Sequence, residues 1–290
     1  MRFKGAKHMM DPKVLRHIRR AYFKHTFSDF AEHVLRRMRE KVLGVDLSVF
    51  DKTLLWYREA RGQSVSPQEA LARALDKQRH KSAWHAQERK TLPGKMHFYT
   101  EVEVYPFRQP YLQRRGGFRW YMELVRHLPA PRIVEYGCGS AVLTEWLVSR
   151  FPRARFFVAD IPSVTLEFVK WKKERFGYPY EILTIGPGRE GIPLEGVYDL
   201  ILCQDVLEHT PNPLEIVTAF VEHLAPAGVL VMDFLKEVGG ENLPEAFTQR
   251  EEVKALLRNR LIAIKAIDEP AKADGLYVKD DRNADLPASS

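Results

Sequence analysis

The stretch of sequence that decides the fold is RIVEYGCGSAVLTEWLVSRFPRARFFVAD, residues 132–160. It contains an apolar strand, a turn with two glycines, an amphipathic helix and a second apolar strand. Strands this apolar are typical of a parallel sheet that helices cover on both faces. The same alternation continues to residue 279 and supplies seven apolar strands in all. The sequence therefore predicts a Rossmann-like, doubly wound α/β fold with a mostly parallel seven-stranded sheet.

The chain divides into four predicted segments. Residues 1–97 carry apolar residues at helical spacing and predict a basic helical N-terminal domain. Residues 98–117 are rich in proline, glycine and aromatic residues and predict a linker or lid. Residues 118–280 hold the predicted sheet, and residues 281–290 predict a disordered tail. The two larger segments are thus expected to have different roles.

The clearest predicted helix start lies in the N-terminal domain. Ser66 is a good N-cap residue, and Pro67 suits the first helical position. Glu69 stands where a capping box needs its acidic residue. The pattern predicts a helix that begins at Pro67.

The charge of the chain is divided unevenly. Residues 1–131 hold 27 Lys/Arg against 13 Asp/Glu, whereas residues 132–290 hold 18 against 25. The basic half, with its aromatic residues Trp56, Tyr57 and Trp84, allows a nucleic-acid surface. The narrow apolar stripes of its helices favour a helical cap with solvated charges and inward-facing aromatic residues. Such a cap would cover the active site or mediate homodimer formation.

Several classes of protein are excluded by composition. The 290 residues include only two cysteines, Cys138 and Cys203, so a disulfide framework is excluded and both are expected to be core thiols of a cytoplasmic protein. No run approaches the roughly 18 apolar residues that a spanning helix needs. The N-terminal sequence MRFKGAKHMM lacks the apolar region of a secretory signal. A membrane partner is therefore not expected.

The first turn between strand and helix holds the strongest candidate site. Gly137 and Gly139 allow a tight turn with the backbone close to a ligand, and the next helix presents free N–H groups there. A dinucleotide-binding turn would carry a third glycine where this chain has Val142. The turn alone is weak evidence, and it does not match the pyrophosphate fingerprint of dinucleotide-binding turns.

Carboxylates at two strand ends strengthen this candidate. Asp160 ends the second strand, 21 residues beyond Gly139, at the position where a carboxylate accepts hydrogen bonds from the ribose hydroxyls of an adenosine. Glu135 ends the first strand, and the polar stretch QDVLEHTPNP, residues 204–213, follows the fourth. These features meet at the carboxyl edge of the predicted sheet.

In this order and spacing, the features resemble the class I S-adenosylmethionine-dependent methyltransferases, over roughly residues 118–279. The segment DVLEHTPNP resembles the branch that acts on small molecules. The resemblance implies methyl transfer from S-adenosylmethionine to a small metabolite, an anionic one included, most often at oxygen. An RNA methyltransferase that docks through its basic domain, and an inactive cofactor-binding scaffold, are the alternatives.

The resemblance also implies roles for individual residues. Glu135, Gly137 and Gly139 would contact the methionine part of the cofactor, and Asp160 would bind its ribose hydroxyls. Ile161 would pack on adenine, and Gln204 would line the methyl-donor end. The chain departs from the family after the third strand. There Gly186-Pro187-Gly188-Arg189 replaces the usual acid that contacts adenine, so backbone atoms of Gly186 or Gly188 would have to take its place.

The chemistry requires alignment of the acceptor, the methyl carbon and the sulfur, and a base only where the acceptor must lose a proton. His209 is the candidate base, and its alternative role is to cap the local loop and shape the pocket. Asp205, Glu208 and His209 are weaker candidates for a divalent cation, with magnesium preferred. An interpretation without a metal is favoured.

The predicted lid supplies candidate acceptor contacts. Arg108, with Arg114 and Arg115, would hold an anionic acceptor. Tyr99 or Tyr105 would face the sulfonium through a cation–π contact, or would simply pack in the core.

Overall fold

A computed structural model gives the fold. It describes residues 46–76, 103–113, 118–128, 130–187, 191–234, 242–265 and 275–279, together with residues 16, 40, 82, 98, 100 and 267. The predicted tail at 281–290, and most of the predicted helical region before residue 46, lie outside the described residues.

The helices come in two groups. Those before the sheet are a 3₁₀ turn Leu47–Phe50, α1 Asp51–Ala60, α2 Pro67–Leu75, α3 Tyr105–Gln113 and α4 Arg119–Arg126. Those between and after the strands are α5 Val142–Val148, α6 Val164–Phe176, a 3₁₀ turn Leu207–His209, α7 Pro213–His223, α8 Pro244–Thr248 and α9 Arg250–Arg260. No helix among the described residues is long and apolar enough to cross a membrane.

One seven-stranded sheet forms the centre. Its strands are β1 Arg132–Tyr136, β2 Arg155–Asp160, β3 Tyr180–Thr184, β4 Tyr198–Cys203, β5 Leu224–Met232, β6 Leu261–Lys265 and β7 Gly275–Lys279. Their order is β3-β2-β1-β4-β5-β7-β6. The first five strands pair in parallel, and β7 runs antiparallel to both β5 and β6. This arrangement confirms the predicted fold and puts the switch point, where ligands bind in such sheets, between β1 and β4.

Neighbouring residues of each strand enter separate cores on the two faces of the sheet. Val134 and Phe157 belong to one apolar cluster, whereas Ile133 and Phe156 belong to the other. Burial on both faces is the reason why these strands are almost continuously apolar. Both cysteines are buried and free, as expected of core thiols.

The described part of the helical region packs on the sheet domain. The Trp56 ring of α1 lies 5.0 Å from the Phe168 ring of α6, centroid to centroid. Helix α2 begins at Pro67, as predicted, and the Ser66 hydroxyl accepts a hydrogen bond from the Glu69 amide at 3.2 Å. The Glu69 carboxylate pairs with the Arg73 guanidinium one turn later. The N-cap is thus present, and the acidic residue of the predicted box stabilises the helix through an i,i+4 ion pair.

The segment predicted as a linker contains helix α3. The sequence does not predict this helix, because Pro110 lies inside it and removes a backbone hydrogen-bond donor. The carbonyl of Pro106, one turn earlier, accepts a hydrogen bond from the buried Thr53 hydroxyl of α1 at 2.7 Å. A side chain from another helix therefore satisfies the carbonyl that Pro110 leaves without its helical donor.

Strand β5 contains a local irregularity near its start. It begins at Leu224, which pairs with Tyr198. The register shifts between Tyr198 and Leu200, and Ala227 has a φ of +58°. This local irregularity accommodates the turn-like APAG sequence within the strand.

Candidate functional site

The turn between β1 and α5 requires both of its glycines. Gly137 and Gly139 have φ values of +71° and +50°. A Cβ on Gly137 would lie 2.2 Å from the Val206 side chain, and one on Gly139 would lie 2.0 Å from the Gln109 amide nitrogen. The turn is therefore flanked closely by the segment after β4 on one side and by helix α3 on the other.

Asp160 holds this turn in place from the end of β2. One carboxylate oxygen accepts a hydrogen bond from the Gly139 amide at 2.6 Å, and the other accepts from the Ile161 amide at 2.8 Å. Burial raises the pKa of Asp160 to about 6, although both amides favour the ionised form. The carboxylate thus lies against the turn, as the spacing in the sequence indicates. Its predicted contact with ribose stays a prediction.

Glu135, at the end of β1, caps helix α5. One carboxylate oxygen accepts from the Thr144 amide at 3.1 Å and from the Thr144 hydroxyl at 2.5 Å. Burial raises the pKa of Glu135 to about 7, and the hydrogen bonds from Thr144 oppose this shift. The structure thus gives Glu135 a role in positioning the helix, while its predicted contact with the methionine part of the cofactor is not tested.

Helix α3 lies over the same turn. The Gln109 side-chain oxygen accepts a hydrogen bond from the Ser140 amide at 2.5 Å, and the Tyr105 carbonyl accepts from the Ser140 hydroxyl at 3.4 Å. Ala141 follows with a φ of +50° and begins α5. The Ser140 amide is thus already paired with a side chain of α3. Helix α3 therefore contacts the candidate cofactor turn directly.

An acidic cluster follows β4 and β5. Carboxylate oxygens of Asp205, Glu208 and Asp233 all lie within 4.8 Å of one another. Glu208 is fully buried, and neither of its carboxylate oxygens has a hydrogen-bond partner among the described residues. Burial raises the pKa of Glu208. These are oxygen donors of the kind that magnesium prefers. The group that the structure brings together includes Asp233 in the place that the sequence analysis gave to His209.

His209 and Gln204 lie on the same segment as that cluster. His209 ends the 3₁₀ turn, is half-buried, and donates its backbone N–H to the Val206 carbonyl at 2.9 Å. The Gln204 side-chain oxygen accepts a hydrogen bond from the Tyr121 hydroxyl of α4. Both residues thus follow β4 on the segment whose Val206 side chain lies against Gly137, at the edge of the sheet where the methyl-donor end is expected.

The other predicted site residues are placed as follows. Ile161 is half-buried next to Asp160, and Tyr105 and Arg108 are half-buried on α3. The Gly186 amide donates to the Gly191 carbonyl at 2.7 Å, so this candidate adenine contact has an internal partner. Tyr99, Arg114, Arg115 and Gly188 lie outside the described residues.

Sequence reasoning missed several residues that shape the site: Gln109, Tyr121, Glu145, Lys172 and Asp233. Gln109 stands one helical turn after Tyr105, a spacing that puts both on one face of α3. Asp233 follows β5 as Asp205 follows β4, and this repeated position was the available signal. Lys172 had no signal, because its sequence WKKERF is that of an exposed helix face.

Comparison with known proteins agrees with this geometry. Residues 134–230 match the family model described as a methyltransferase domain. An uncharacterized protein of Synechococcus sp. is 30% identical over 135 residues, which cover 45% of this chain and 31% of that protein. A ubiquinone biosynthesis O-methyltransferase of Burkholderia thailandensis is 28% identical over 102 residues, 35% of this chain and 43% of the relative. The match thus spans less than half the length of these curated relatives.

Among solved structures, the N-methyltransferase NodS of Bradyrhizobium japonicum shares 18% identity at a TM-score of 0.41, and the match covers 59% of this chain and 97% of that one. The family match spans β1 to β5, the five parallel strands, and includes both the glycine turn and Asp160. These five strands lie side by side in the seven-stranded sheet, in the order β3-β2-β1-β4-β5. Residues 134–230 therefore match a methyltransferase domain, and this match includes the glycine turn and Asp160.

Proposed function

We propose that the protein transfers a methyl group from S-adenosylmethionine to an oxygen of a small metabolite, an anionic one included. The observation that carries the proposal is the close cover over the cofactor turn. Gln109 of α3 lies on Gly139 and Ser140, and Val206 lies on Gly137. A turn enclosed from two sides favours a small acceptor, since a polymer needs an open groove.

The residues of the chain would share the work in a simple way. The cofactor supplies a methyl group activated on a sulfonium. Asp160 would accept hydrogen bonds from its ribose, and Gly137 and Gly139 would let the backbone approach its methionine part. As the carbon–oxygen bond forms and the carbon–sulfur bond breaks, His209 would take the proton of the acceptor hydroxyl. The enclosing helix α3 would exclude water.

The described helical region favours a cap over an RNA-docking surface. Trp56 and Tyr57 are only 2% and 0% exposed, so they are not available to stack bases. Three of its basic side chains are already in ion pairs with acidic groups: Lys52 with Glu145, Arg61 with Glu103, and Arg73 with Glu69. The third candidate for stacking, Trp84, lies outside the described residues.

Methyl transfer from labelled S-adenosylmethionine to a panel of acceptors tests the proposal. The panel holds phenols, catechols, phosphorylated sugars and a generic RNA, and His209→Ala serves as the matched variant. We expect label in a small hydroxyl compound, recovered as an ether. Label in RNA that falls steeply with salt would support the RNA alternative. Binding of S-adenosylhomocysteine with no label in any acceptor would support the scaffold alternative.

A further inference from the structure

A buried lysine lies behind the cofactor turn. Lys172 of α6 is only 2% exposed, and its ammonium donates to the Ser140 carbonyl at 2.6 Å. The same ammonium forms an ion pair with Glu145, in the first turn of α5. One charge therefore holds both the end of the glycine turn and the start of the helix that follows it.

The ion pair continues into the N-terminal helical region. The second carboxylate oxygen of Glu145 accepts a hydrogen bond from the Lys52 ammonium of α1 at 2.7 Å. Lys52 also contacts the Tyr178 hydroxyl and is 42% exposed, while Glu145 is 8% exposed. Lys52, Glu145 and Lys172 thus form a chain of charges from the cap to the turn.

Burying these charges costs desolvation free energy, which apolar packing would not require. Burial lowers the pKa of Lys172, although the neighbouring Glu145 opposes the shift. Buried ion pairs are often no more stable than apolar residues of the same volume. They are better at fixing one geometry, because each ammonium proton needs an acceptor in a set direction. The geometry fixed here is that of the Ser140 carbonyl, next to the turn amides.

We propose that Lys172 is a positioning residue for the cofactor turn, and that the Lys52–Glu145–Lys172 chain makes the shape of that turn depend on the seating of helix α1. The inference rests on the proposed use of S-adenosylmethionine at this turn. It gives helix α1 an influence on cofactor affinity that is transmitted through Glu145 and Lys172.

Calorimetric titration with S-adenosylhomocysteine tests the inference on the full chain. Lys172→Met removes a hydrogen bond to a charged group and should weaken binding about tenfold. Lys52→Met, which has no contact with the turn itself, should weaken binding about threefold through Glu145. The matched control is Lys170→Met, a change at an exposed position of the same helix, and it should leave binding unchanged.

A double variant shows whether Lys52 and Lys172 affect cofactor binding through one chain of contacts or independently. Since either substitution breaks the same chain, Lys52→Met combined with Lys172→Met should bind no more weakly than Lys172→Met alone. Losses that simply add would contradict the inference. A Lys52→Met protein with a lower melting temperature and unchanged affinity would overturn it, whether or not Lys172→Met folds.

Hydrogen exchange supplies a readout that needs no cofactor. In the free protein, Lys52→Met should speed exchange of amides in peptides covering residues 137–145, and Lys170→Met should not. Unchanged exchange there would overturn the inference. If the wild-type chain binds no S-adenosylhomocysteine while the exchange result holds, the proposed function fails and the coupling between α1 and the turn stands.

Discussion

The turn after β1 and the segment after β4 lie next to each other at the carboxyl edge of the sheet, and they differ in how their polar groups are satisfied. In the turn, the amides of Gly139 and Ser140 each donate to a side-chain oxygen, from Asp160 and Gln109. In the segment after β4, the buried carboxylate of Glu208 has no hydrogen-bond partner among the described residues. The turn, which we propose as the cofactor side, has these amides paired within the protein, whereas Glu208 in the segment after β4, the proposed acceptor side, has no such hydrogen bond among the described residues.

The difference matches what each side would bind. A preorganised turn lowers the free-energy cost of binding, because its backbone need not be ordered when the cofactor arrives. A buried polar group without a partner costs about 1–3 kcal/mol. Such a cost is offset when an acceptor, a water molecule or an ion completes the hydrogen bonds. Glu208 therefore lowers the stability of the protein until such a partner binds.

The largest expected effect concerns the acceptor side. If His209 is the base, His209→Ala should lower turnover about 100-fold or more, because a positioned base contributes at least that much. Affinity for S-adenosylhomocysteine should stay within about twofold, as the cofactor turn is untouched. Steady-state kinetics and calorimetry measure the two quantities. Equal losses in both would reduce His209 to a structural residue.

Asp160→Ala should damage the cofactor side most. The variant loses the acceptor for the Gly139 and Ile161 amides as well as the proposed ribose contact, so affinity for S-adenosylhomocysteine should fall about 30-fold. Asp160→Asn keeps one acceptor oxygen, so its affinity should lie between the affinities of wild type and Asp160→Ala. Circular dichroism checks that the fold is intact. Unchanged affinity in Asp160→Ala would remove Asp160 from the site.

Two carboxylates compare the two sides in stability. Glu208→Gln removes a buried charge whose oxygens accept no hydrogen bond from the described residues, and it should raise the free energy of unfolding by about 1 kcal/mol. Glu135→Gln keeps an acceptor oxygen for Thr144 and removes a charge that burial penalises at pH 8, so it should also raise the free energy of unfolding. Denaturant unfolding of both variants measures this. A Glu208→Gln protein that is less stable than wild type would contradict this prediction, because it would mean that the Glu208 carboxylate makes a stabilising interaction in the folded protein.

The pH dependence of stability tests the ionisation of Glu135. Since burial raises the pKa of Glu135 from 4.5 to about 7, the folded state holds the proton more tightly than the unfolded state between these values. Stability should therefore fall as the pH rises through this window, by at most about 1.4 kcal/mol per pH unit. Glu135→Gln should flatten the slope relative to wild type in urea melts across the window. An unchanged slope would mean that Glu135 does not titrate there.

The strands, the glycine turn and the position of Asp160 could be predicted because they follow from short-range rules. Apolar runs predict buried strands, and only glycine suits a turn whose Cβ positions would meet Val206 and Gln109. The chain from Lys52 to Lys172 could not be predicted. It joins residues far apart in sequence, and nothing local distinguishes Lys172 from the exposed lysines beside it. Helix α3 was missed because the partner of its Pro106 carbonyl lies on another helix.

The central claim is that the turn after β1, held by Asp160, binds the cofactor. Calorimetric titration of wild type and Asp160→Ala with S-adenosylhomocysteine tests it most directly. Wild type should bind in the micromolar range and Asp160→Ala much more weakly, with both proteins folded. No binding to wild type, or the same affinity for both proteins, would contradict it.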